Sequence, residues 1–383
     1  MSSSSTDIIV VGGGVVGTSI AWHLARKGAS VTLLEERNIA AAASGASAGG
    51  VRQQGRDPRE MPLAIAAIAR WEHLEDELGA DLHYYREGHL VAYGHEDDLP
   101  VARQRVADQR ELGLEIELVE GRDLRELCPG LAEDISIGTY TPTDGHANPT
   151  LTTQAFANAA RREGAKTMLG VRVTGLAKEG DRIIGVDTED GVLEADHVIL
   201  ATGAWTRDLV APLGVDLPII PTGLQMILSR PMPKQLRQVV GAYGRSLSLK
   251  QLREGNYLIG GGWPGDIDML AGVGTTRPES IAGSRETAAA IYPVLDEMEI
   301  ERSWVGVEGI AFDEIPVIDG LPGYRSVTVA AGFSGHGFAL SPITGQLVAE
   351  WVLDGAPSIP LDAFSATRFA NLDATQMPTP SAG

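Results

Sequence analysis

The most constraining feature of this sequence is a glycine-rich stretch close to its beginning. An apolar run at 7–11 is followed by Gly12, Gly14 and Gly17, by small and apolar residues, and by a second apolar run that ends at Glu35. This order predicts a strand, a helix and a parallel strand. In such a unit Gly12 allows a tight turn, Gly14 admits a phosphate close to the backbone, and Gly17 lets helix and strand pack closely. The stretch therefore predicts a dinucleotide site.

The residues around the glycines support this interpretation. Val15 and Val16 begin the predicted helix, whose free N–H groups and positive dipole end point at the pyrophosphate. Glu35 lies about 20 residues further on, where a carboxylate accepts hydrogen bonds from a ribose 2′-OH. An acid here favours FAD or NAD over NADP, and the nearby Arg37 does not overturn that. The alternative, a glycine turn without a ligand, leaves the order of strand, helix and acid unexplained.

The composition argues against several classes of protein. A chain of 383 residues is too long for one small core and predicts two or more domains. Its net charge of −20 disfavours nucleic acid and anionic membranes as partners. We predict no membrane-spanning segment, and the polar leader at 1–6 lacks the basic start of a secretion signal. Cys128 is the single cysteine, so we expect no disulfide, no metal site and a cytoplasmic location.

A second cluster of small residues, at 38–54, follows Glu35. We interpret it as a tight loop whose backbone lies close to a ligand, because a flexible linker does not fit inside a cofactor fold. Ser44, Gly49 and Gly50 belong to this loop, and Arg52 follows them. The Arg52 guanidinium is either solvated or beside the ligand, and the residues alone leave both alternatives open.

The residue pattern changes several times along the rest of the chain. A second, substrate-facing lobe is predicted to begin near Leu82, and the apolar strand at 196–205 returns the chain to the first domain. Runs typical of antiparallel strands fill 217–262. A last apolar strand at 327–332 leads into another glycine loop.

Four stretches together carry a resemblance to a known family. They are the opening glycine unit, the turn Ala201-Thr-Gly-Ala-Trp205, the segment Asp144-Gly-His-Ala-Asn-Pro149, and Ala330-Ala-Gly-Phe-Ser-Gly-His-Gly-Phe338. The chain resembles the FAD-dependent D-amino-acid oxidase superfamily over nearly its whole length. The most similar branch contains monomeric sarcosine oxidase, glycine oxidase, the β subunits of heteromeric sarcosine oxidase and proline dehydrogenase, and iminodiacetate oxidases.

The resemblance implies an α/β fold combined with an α+β part. A Rossmann-like FAD-binding domain is expected from discontinuous segments, with a second, antiparallel β-sheet substrate domain. The FAD-binding domain would comprise 1–81, 145–210 and 300–370, and the substrate domain 82–144 and 211–299. The tail, 371–383, is predicted to be disordered.

The same resemblance implies the contacts of the cofactor. Beyond the glycine unit, the expected contacts are Val173 at the adenine, Ser44, Gly49 and Gly50 near the pyrophosphate and ring, Thr202, Gly203 and Trp205 in the second glycine turn, and the backbone of Gly335, His336 and Gly337 at the flavin pyrimidine. Relatives with covalent flavin use a cysteine near the end of 304–319 or a histidine in the early glycine loop. This chain has neither, so we predict non-covalent FAD.

The resemblance also implies the chemistry, in which FAD accepts a hydride equivalent from a carbon next to an amine nitrogen. The anchors for a substrate carboxylate differ from those of the family. Ala339 stands where monomeric sarcosine oxidases carry a lysine, and 304–313 contains no arginine where glycine-type oxidases carry an Arg-Pro pair. By elimination we predict Arg52 as the anchor, with Arg245, Lys250 and His336 as secondary candidates and Tyr257 as a packing surface. Each of these could equally be structural.

Three hypotheses for the function remain open. The first is an FAD-dependent oxidoreductase for a small secondary amine or N-substituted glycine, similar to sarcosine or iminodiacetate, whose imine product hydrolyses. The second is a D-amino-acid or proline dehydrogenase. The third is a flavin-binding subunit of a hetero-oligomeric electron-transfer complex. In monomeric sarcosine oxidase a lysine speeds oxygen reduction, and Leu258 stands at its position in this chain. Without that lysine, the electron acceptor is either O2 or another molecule. A homo- or hetero-oligomer is compatible with all three hypotheses.

Overall fold

The structure, a computed structural model, describes residues 7–372. The polar leader at 1–6 lies outside the described residues, as does the predicted disordered tail apart from its first two positions. Among the helices formed by residues 7–372, none combines the length and apolar character needed to cross a membrane.

Within the described residues the strands, in chain order, are β1 Asp7–Val11, β2 Ser30–Glu35, β3 Gly50–Val51, β4 His89–Tyr93, β5 Glu117–Glu120, β6 Ile137–Thr141, β7 Gly145–His146, β8 Lys166–Leu169, β9 Val173–Glu179, β10 Arg182–Thr188, β11 Gly191–Glu194, β12 His197–Leu200, β13 Ile219–Ser229, β14 Val239–Ala242, β15 Arg245–Gln251, β16 Tyr257–Gly260, β17 Pro264–Asp268, β18 Val273–Thr275, β19 Ile300–Ala311, β20 Val317–Gly320 and β21 Val327–Ala331.

The α-helices are α1 Val15–Arg26, α2 Ala43–Ala46, α3 Met61–Leu78, α4 Leu99–Glu111, α5 Gly121–Leu127, α6 Pro149–Arg162, α7 Thr206–Val210, α8 Pro278–Ile291 and α9 Gly337–Asp354. Short 3-10 turns occupy Glu96–Asp98, Gly203–Trp205, Ala211–Leu213, Pro293–Glu297, Asp362–Phe364 and Ala366–Phe369.

One sheet has the Rossmann-like arrangement that the glycine unit predicts. Its strand order is β20-β21-β12-β1-β2-β8, and β1 is parallel to both β2 and β12. The strand β12 is in turn parallel to β21, so the sheet combines segments from the beginning, the middle and the end of the chain. The predicted fold class, with its discontinuous Rossmann-like domain, is confirmed.

Alternating residues of β1 explain why this sheet is covered on both faces. Ile8 and Val10 pack into a core with residues of α1, α3, α6 and α9. Ile9 and Val11 pack into a second core, to which the antiparallel strands β9 and β10 contribute. A strand with apolar side chains on both faces is typical of a buried parallel sheet.

The second sheet is larger and mainly antiparallel. Its order is β18-β17-β13-β16-β15-β14-β4-β6-β5, and β19 pairs with β13. Because β19 spans Ile300–Ala311 and pairs along most of β13, it belongs to this sheet. The predicted boundary at residue 300 places β19 in the cofactor domain, whereas its pairing belongs to the large sheet, so we propose that the third cofactor segment begins after β19. The predicted antiparallel sheet is otherwise present.

The large sheet contacts the Rossmann-like part of the molecule where β19 packs on α2, the short helix that follows β2. The indole N–H of Trp304 donates to the carbonyl oxygen of Ala46 over 2.9 Å. A Cβ atom at Gly306 would lie 2.8 Å from the Cβ atom of Ala46, so glycine permits this close contact. The small residues after β2 are thus a tight packed loop.

The close packing of α1 on β1 can be tested at Gly17. A Cβ atom here would lie 2.0 Å from the carbonyl oxygen of Gly12, which is backbone and cannot rotate away. We expect Gly17→Ala to destabilise the protein by at least about 1–3 kcal/mol, the usual cost of overpacking. Thermal and denaturant unfolding measure this loss.

Gly320→Ala is the matched control, because the nearest atom to its new Cβ would be the Val327 carbonyl oxygen at 3.9 Å. Equal stability of the two variants would contradict the close contact at Gly17.

Candidate active site

A cavity of about 660 Å³ lies between the two sheets. The predicted cofactor residues on its wall are Gly12, Gly14, Val15, Val16, Glu35, Ser44, Gly50, Val173, Thr202, Gly203, Trp205, Gly335 and Gly337. Gly17, Gly49 and His336 are not among the wall residues. Gly17 packs under the glycine turn, and a Cβ atom at Gly49 would lie 2.2 Å from the carbonyl oxygen of Ala147.

The first end of the cavity is formed by the turn between β1 and α1. Gly12 has a φ of 111°, and a Cβ atom there would lie 2.4 Å from the carbonyl oxygen of Ala201. The backbone N–H of Val15 donates to the Ser44 hydroxyl oxygen over 2.9 Å. The first turn of α1 carries no acidic side chain, so its positive end is available to an anion.

The carboxylate of Glu35 is held beside this turn. One oxygen accepts the Gly13 N–H at 2.7 Å, and the other accepts the Arg37 N–H at 2.8 Å. Each carboxylate oxygen has a further lone pair for a ribose hydroxyl. Together with the helix end, this carboxylate fits the pyrophosphate and ribose of a dinucleotide.

The second end of the cavity is the glycine loop between β21 and α9. Gly332 and Gly335 have φ values of 70° and 79°, and Ser334 between them is also left-handed. The Ser334 hydroxyl accepts the Ala311 N–H and donates to the Gly332 carbonyl, which fixes the loop. Because α9 begins at Gly337, backbone N–H groups are available here for a polar ring such as the flavin pyrimidine.

A buried carboxylate positions the loop that carries Arg52. Asp144 accepts hydrogen bonds from the backbone N–H groups of Gln53 and Gln54 and from the Gln53 side chain, at 2.9–3.1 Å. Burial raises the pKa of Asp144 to about 6, although these hydrogen bonds oppose the shift. Arg52 donates to the Gln54 carbonyl oxygen and lies on the cavity wall, as the ligand-facing alternative requires.

The sequence interpretation missed Arg56, which lies on the same wall. Its side chain is 2% exposed, and its Nη1 atom has no hydrogen-bond partner among the described residues. Burial and the neighbouring Arg52 lower the pKa of Arg56 to about 9. Glu60 lies 4.0 Å away and opposes that shift only in part. A signal was available, since a second arginine follows Arg52 after four positions.

Glu308 was also missed, and it too lines the cavity. It lies in β19, close to the Gly335 backbone of the glycine loop, which lowers the pKa of its carboxyl group slightly. Burial raises the pKa of Glu308 to about 7. The signal for this residue was an acid placed inside the otherwise apolar run at 304–311.

Two of the predicted substrate residues lie away from the cavity wall. Tyr257 is 0% exposed and packs in the core of the large sheet, with its ring centroid 6.0 Å from that of Tyr292. Arg245 is exposed at the start of β15. These two placements correct the predictions, because a strand pattern does not reveal which face of the sheet meets the ligand.

The side chains of Lys250 and His336 also lie off the wall, next to it. The ammonium group of Lys250 donates to the Ala48 carbonyl oxygen, and burial and the neighbouring Arg52 lower its pKa to about 7. The His336 ring is turned to Glu60, with 2.8 Å between Nδ1 and the nearer carboxylate oxygen. Burial and Arg56 lower the pKa of His336 to about 4, so the ring is neutral at pH 7.

Comparison with known proteins identifies the family of this fold and site. Residues 7–351 match the family described as DAO, FAD dependent oxidoreductase. The chain belongs to this family. FAD is therefore the dinucleotide of this chain, and the glycine turn and Glu35 are suited to bind it.

The chain is also similar to individual oxidases and dehydrogenases over most of its length. The chain is 30% identical to 4-methylaminobutanoate oxidase (formaldehyde-forming) of Paenarthrobacter nicotinovorans, over 94% of this chain and 45% of that protein. It is 29% identical to glycine oxidase of Pseudomonas aeruginosa, over 93% and 99%. The crystal structure of L-proline dehydrogenase from P. horikoshii superposes with a TM-score of 0.89 at 28% identity, over 96% and 98%. The chain thus spans about half of the first of these relatives and nearly all of the other two.

The role of Glu35 can be tested by FAD binding. We expect Glu35→Gln to raise the Kd for FAD about 10- to 100-fold, because a charged acceptor for backbone N–H and ribose O–H groups becomes neutral. Fluorescence titration of the apoprotein with FAD measures this change. Glu194→Gln removes an exposed carboxylate outside the cavity and serves as control. Equal affinity of the two variants would argue against a ribose contact.

The predicted non-covalent state of FAD can be tested by denaturation. The wall residues include neither histidine nor cysteine, and Cys128 is buried in the core of the large sheet. We expect acid or heat to release all of the flavin into the supernatant. Flavin that remains on the precipitated protein would contradict this prediction.

Proposed function

We propose that the chain oxidises the carbon–nitrogen bond of a small amino acid with a secondary amine, such as an N-substituted glycine, to an imine that hydrolyses. The observation that carries the proposal is the pair of arginines, Arg52 and Arg56, on the wall of an FAD cavity. Bound FAD supplies a two-electron acceptor for a C–H bond next to nitrogen.

The arginine pair suits a substrate carboxylate. Two guanidinium groups in one buried place repel each other, and the effect of Arg52 on the pKa of Arg56 reflects this repulsion. An anion between them would remove the repulsion and supply acceptors for the unpartnered Nη1 of Arg56. Asp144 holds the Arg52 loop in place through the backbone of Gln53 and Gln54.

The relatives support an amino-acid substrate without identifying it. The names of three of them refer to an N-methylated amino acid, to glycine and to L-proline. The substrate, the electron acceptor and the oligomeric state of this chain are therefore proposals, and its cytoplasmic location stays a prediction.

Proline or D-amino-acid oxidation is the second candidate function. The structural similarity to L-proline dehydrogenase favours it. A flavin-binding subunit of a larger electron-transfer complex stays the third candidate. The acceptor would then be a partner protein rather than O2.

Steady-state assays with the purified holoprotein distinguish these candidates. We expect turnover of sarcosine, iminodiacetate or 4-(methylamino)butanoate to exceed turnover of glycine, D-alanine and L-proline. Each compound is tested with O2 and with an artificial dye as acceptor. Faster turnover of L-proline or D-alanine would favour the second candidate, proline or D-amino-acid oxidation. Activity only with a co-purifying partner would favour the third candidate, the flavin-binding subunit.

The carboxylate anchor can be tested at Arg56. We expect Arg56→Met to raise KM for the best substrate about 10- to 100-fold, because one charged hydrogen-bond donor is lost, and Arg56→Lys to restore part of the loss. Arg122→Met removes an arginine with an 85% exposed side chain and is the control. An unchanged KM in Arg56→Met, with flavin content preserved, would contradict the assignment.

A further inference from the structure

An acidic side chain in the cavity has no role in the function proposed so far. Glu308 lies in β19, opposite Thr222 of β13, and is a wall residue of the cavity. Glu308 therefore belongs to the large sheet, which forms the side of the cavity opposite the Rossmann-like sheet.

Close packing on both sides holds Glu308 in place. A Cβ atom at Gly306 would lie 2.8 Å from the Ala46 Cβ atom, and one at Gly309 would lie 3.0 Å from the Ala204 nitrogen. The strand is thus in contact with the cofactor-binding half before and after Glu308. The Gly335 backbone, in the loop that closes the second end of the cavity, lies close enough to the carboxyl group to oppose the rise of its pKa.

The elements packed against β19 provide few charges to Glu308. Neither β13, α2, β18 nor the turn Gly203–Trp205 contains an ionisable side chain. The ionisable groups on the other packed segments have partners of their own: Asp266 binds Arg277, Asp268 accepts backbone N–H groups, His336 binds Glu60, Glu301 accepts from Asn256, and Arg302 stacks on Trp304.

A carboxylate in such surroundings is costly to ionise. Removing it from water without a cation raises its pKa, here to about 7. The Gly335 backbone offsets this cost only in part. A positively charged ligand in the cavity would offset the rest, because it supplies the missing counter-charge.

We propose that Glu308 binds the cationic nitrogen of the substrate and accepts its proton, while Arg52 and Arg56 bind the carboxylate. This inference rests on the proposed oxidation of an amino acid and deepens it. The substrate is then a zwitterion whose two charges are held by different walls of the cavity.

The proton transfer balances without any further reactant. One N–H bond of the substrate ammonium breaks, its electron pair stays on nitrogen, and an O–H bond forms on the Glu308 carboxylate. No electron is gained or lost in this step. The neutral amine that results carries the lone pair that oxidation at the adjacent carbon requires, and an acceptor with a pKa near 7 is suited to exchange a proton at physiological pH.

The pH dependence follows from the raised pKa of Glu308. Below pH 7 the free carboxyl group is mostly protonated, so it neither attracts a cation nor accepts a proton. Above pH 7 it is mostly ionised. We therefore expect affinity for a cationic ligand, and kcat/KM, to rise as the pH passes from about 6 to about 8.

Two ligands of equal shape test the cation site without turnover. Glycine betaine carries a positively charged quaternary nitrogen. In 3,3-dimethylbutanoate an uncharged carbon atom replaces this nitrogen, and both ligands carry the carboxylate. Their Kd values for the holoprotein are measured by calorimetry at pH 6 and pH 8. At pH 8 we expect the wild type to bind glycine betaine at least about 10-fold more tightly than 3,3-dimethylbutanoate. We expect Glu308→Gln to lose this preference for glycine betaine.

Further variants separate charge from packing. Glu308→Asp keeps the charge and is expected to retain part of the preference, while Glu194→Gln removes an exposed carboxylate and is expected to behave as wild type. The rise of kcat/KM between pH 6 and pH 8 should disappear in Glu308→Gln with the best substrate found. If Glu308→Gln does not retain flavin, the wild-type preference and its pH dependence decide the question.

Equal affinity of the wild type for the two ligands at pH 8, or an equal preference in Glu308→Gln, would overturn the cation site. An unchanged rise of kcat/KM in Glu308→Gln would overturn the proton transfer. Failure of the proposed function has a different signature, namely no amine turnover while the preference for glycine betaine is preserved.

Discussion

The parallel pairing of β1, β12 and β21 is the constraint on which the rest of the structure depends. These adjacent strands come from distant parts of the chain and run in the same direction. Their carboxyl ends therefore meet at one edge of the sheet, where ligands of open α/β sheets bind. The Gly12 turn, the turn at 201–203 and the loop at 332–337 follow directly from these ends, and all three contribute to the cavity wall.

Buried charges organise the other side of the cavity. Asp144 fixes the Arg52 loop through backbone hydrogen bonds, and Glu60 lies between Arg56 and His336. His336 lies beside this wall and is neutral at pH 7, so it adds no charge to those of Arg52 and Arg56. Glu308 adds a single acid from the covering sheet. A cavity with Arg52 and Arg56 on one side and Glu308 on another is suited to a zwitterion. A neutral molecule would leave these buried charges unpaired.

Local patterns in the chain predicted the parts of the site that depend on backbone geometry. The glycine turn, Glu35 and the loop at 335–337 could be predicted because tight turns and close backbone contacts demand particular residues at particular spacings, and residues of all three line the cavity. The substrate side was predicted less well. Tyr257 and Arg245 were wrong candidates, whereas Arg56 and Glu308 were missed, because a side chain's role there depends on which face of a strand or loop meets the cavity.

The sequence by itself determined the Rossmann-like unit, the choice of a dinucleotide with a free ribose hydroxyl and the presence of a second, β-rich lobe. These features are local, since they follow from residues within one turn, one strand or one helix. Only the tertiary structure decided that β19 belongs to the large sheet, that Arg52 and Arg56 share one wall and that Glu308 lines the cavity without a cation from the packed elements. The reason is physical: burial and the neighbourhood of other charges are set by segments far apart in the chain, and no local pattern encodes which of them meet.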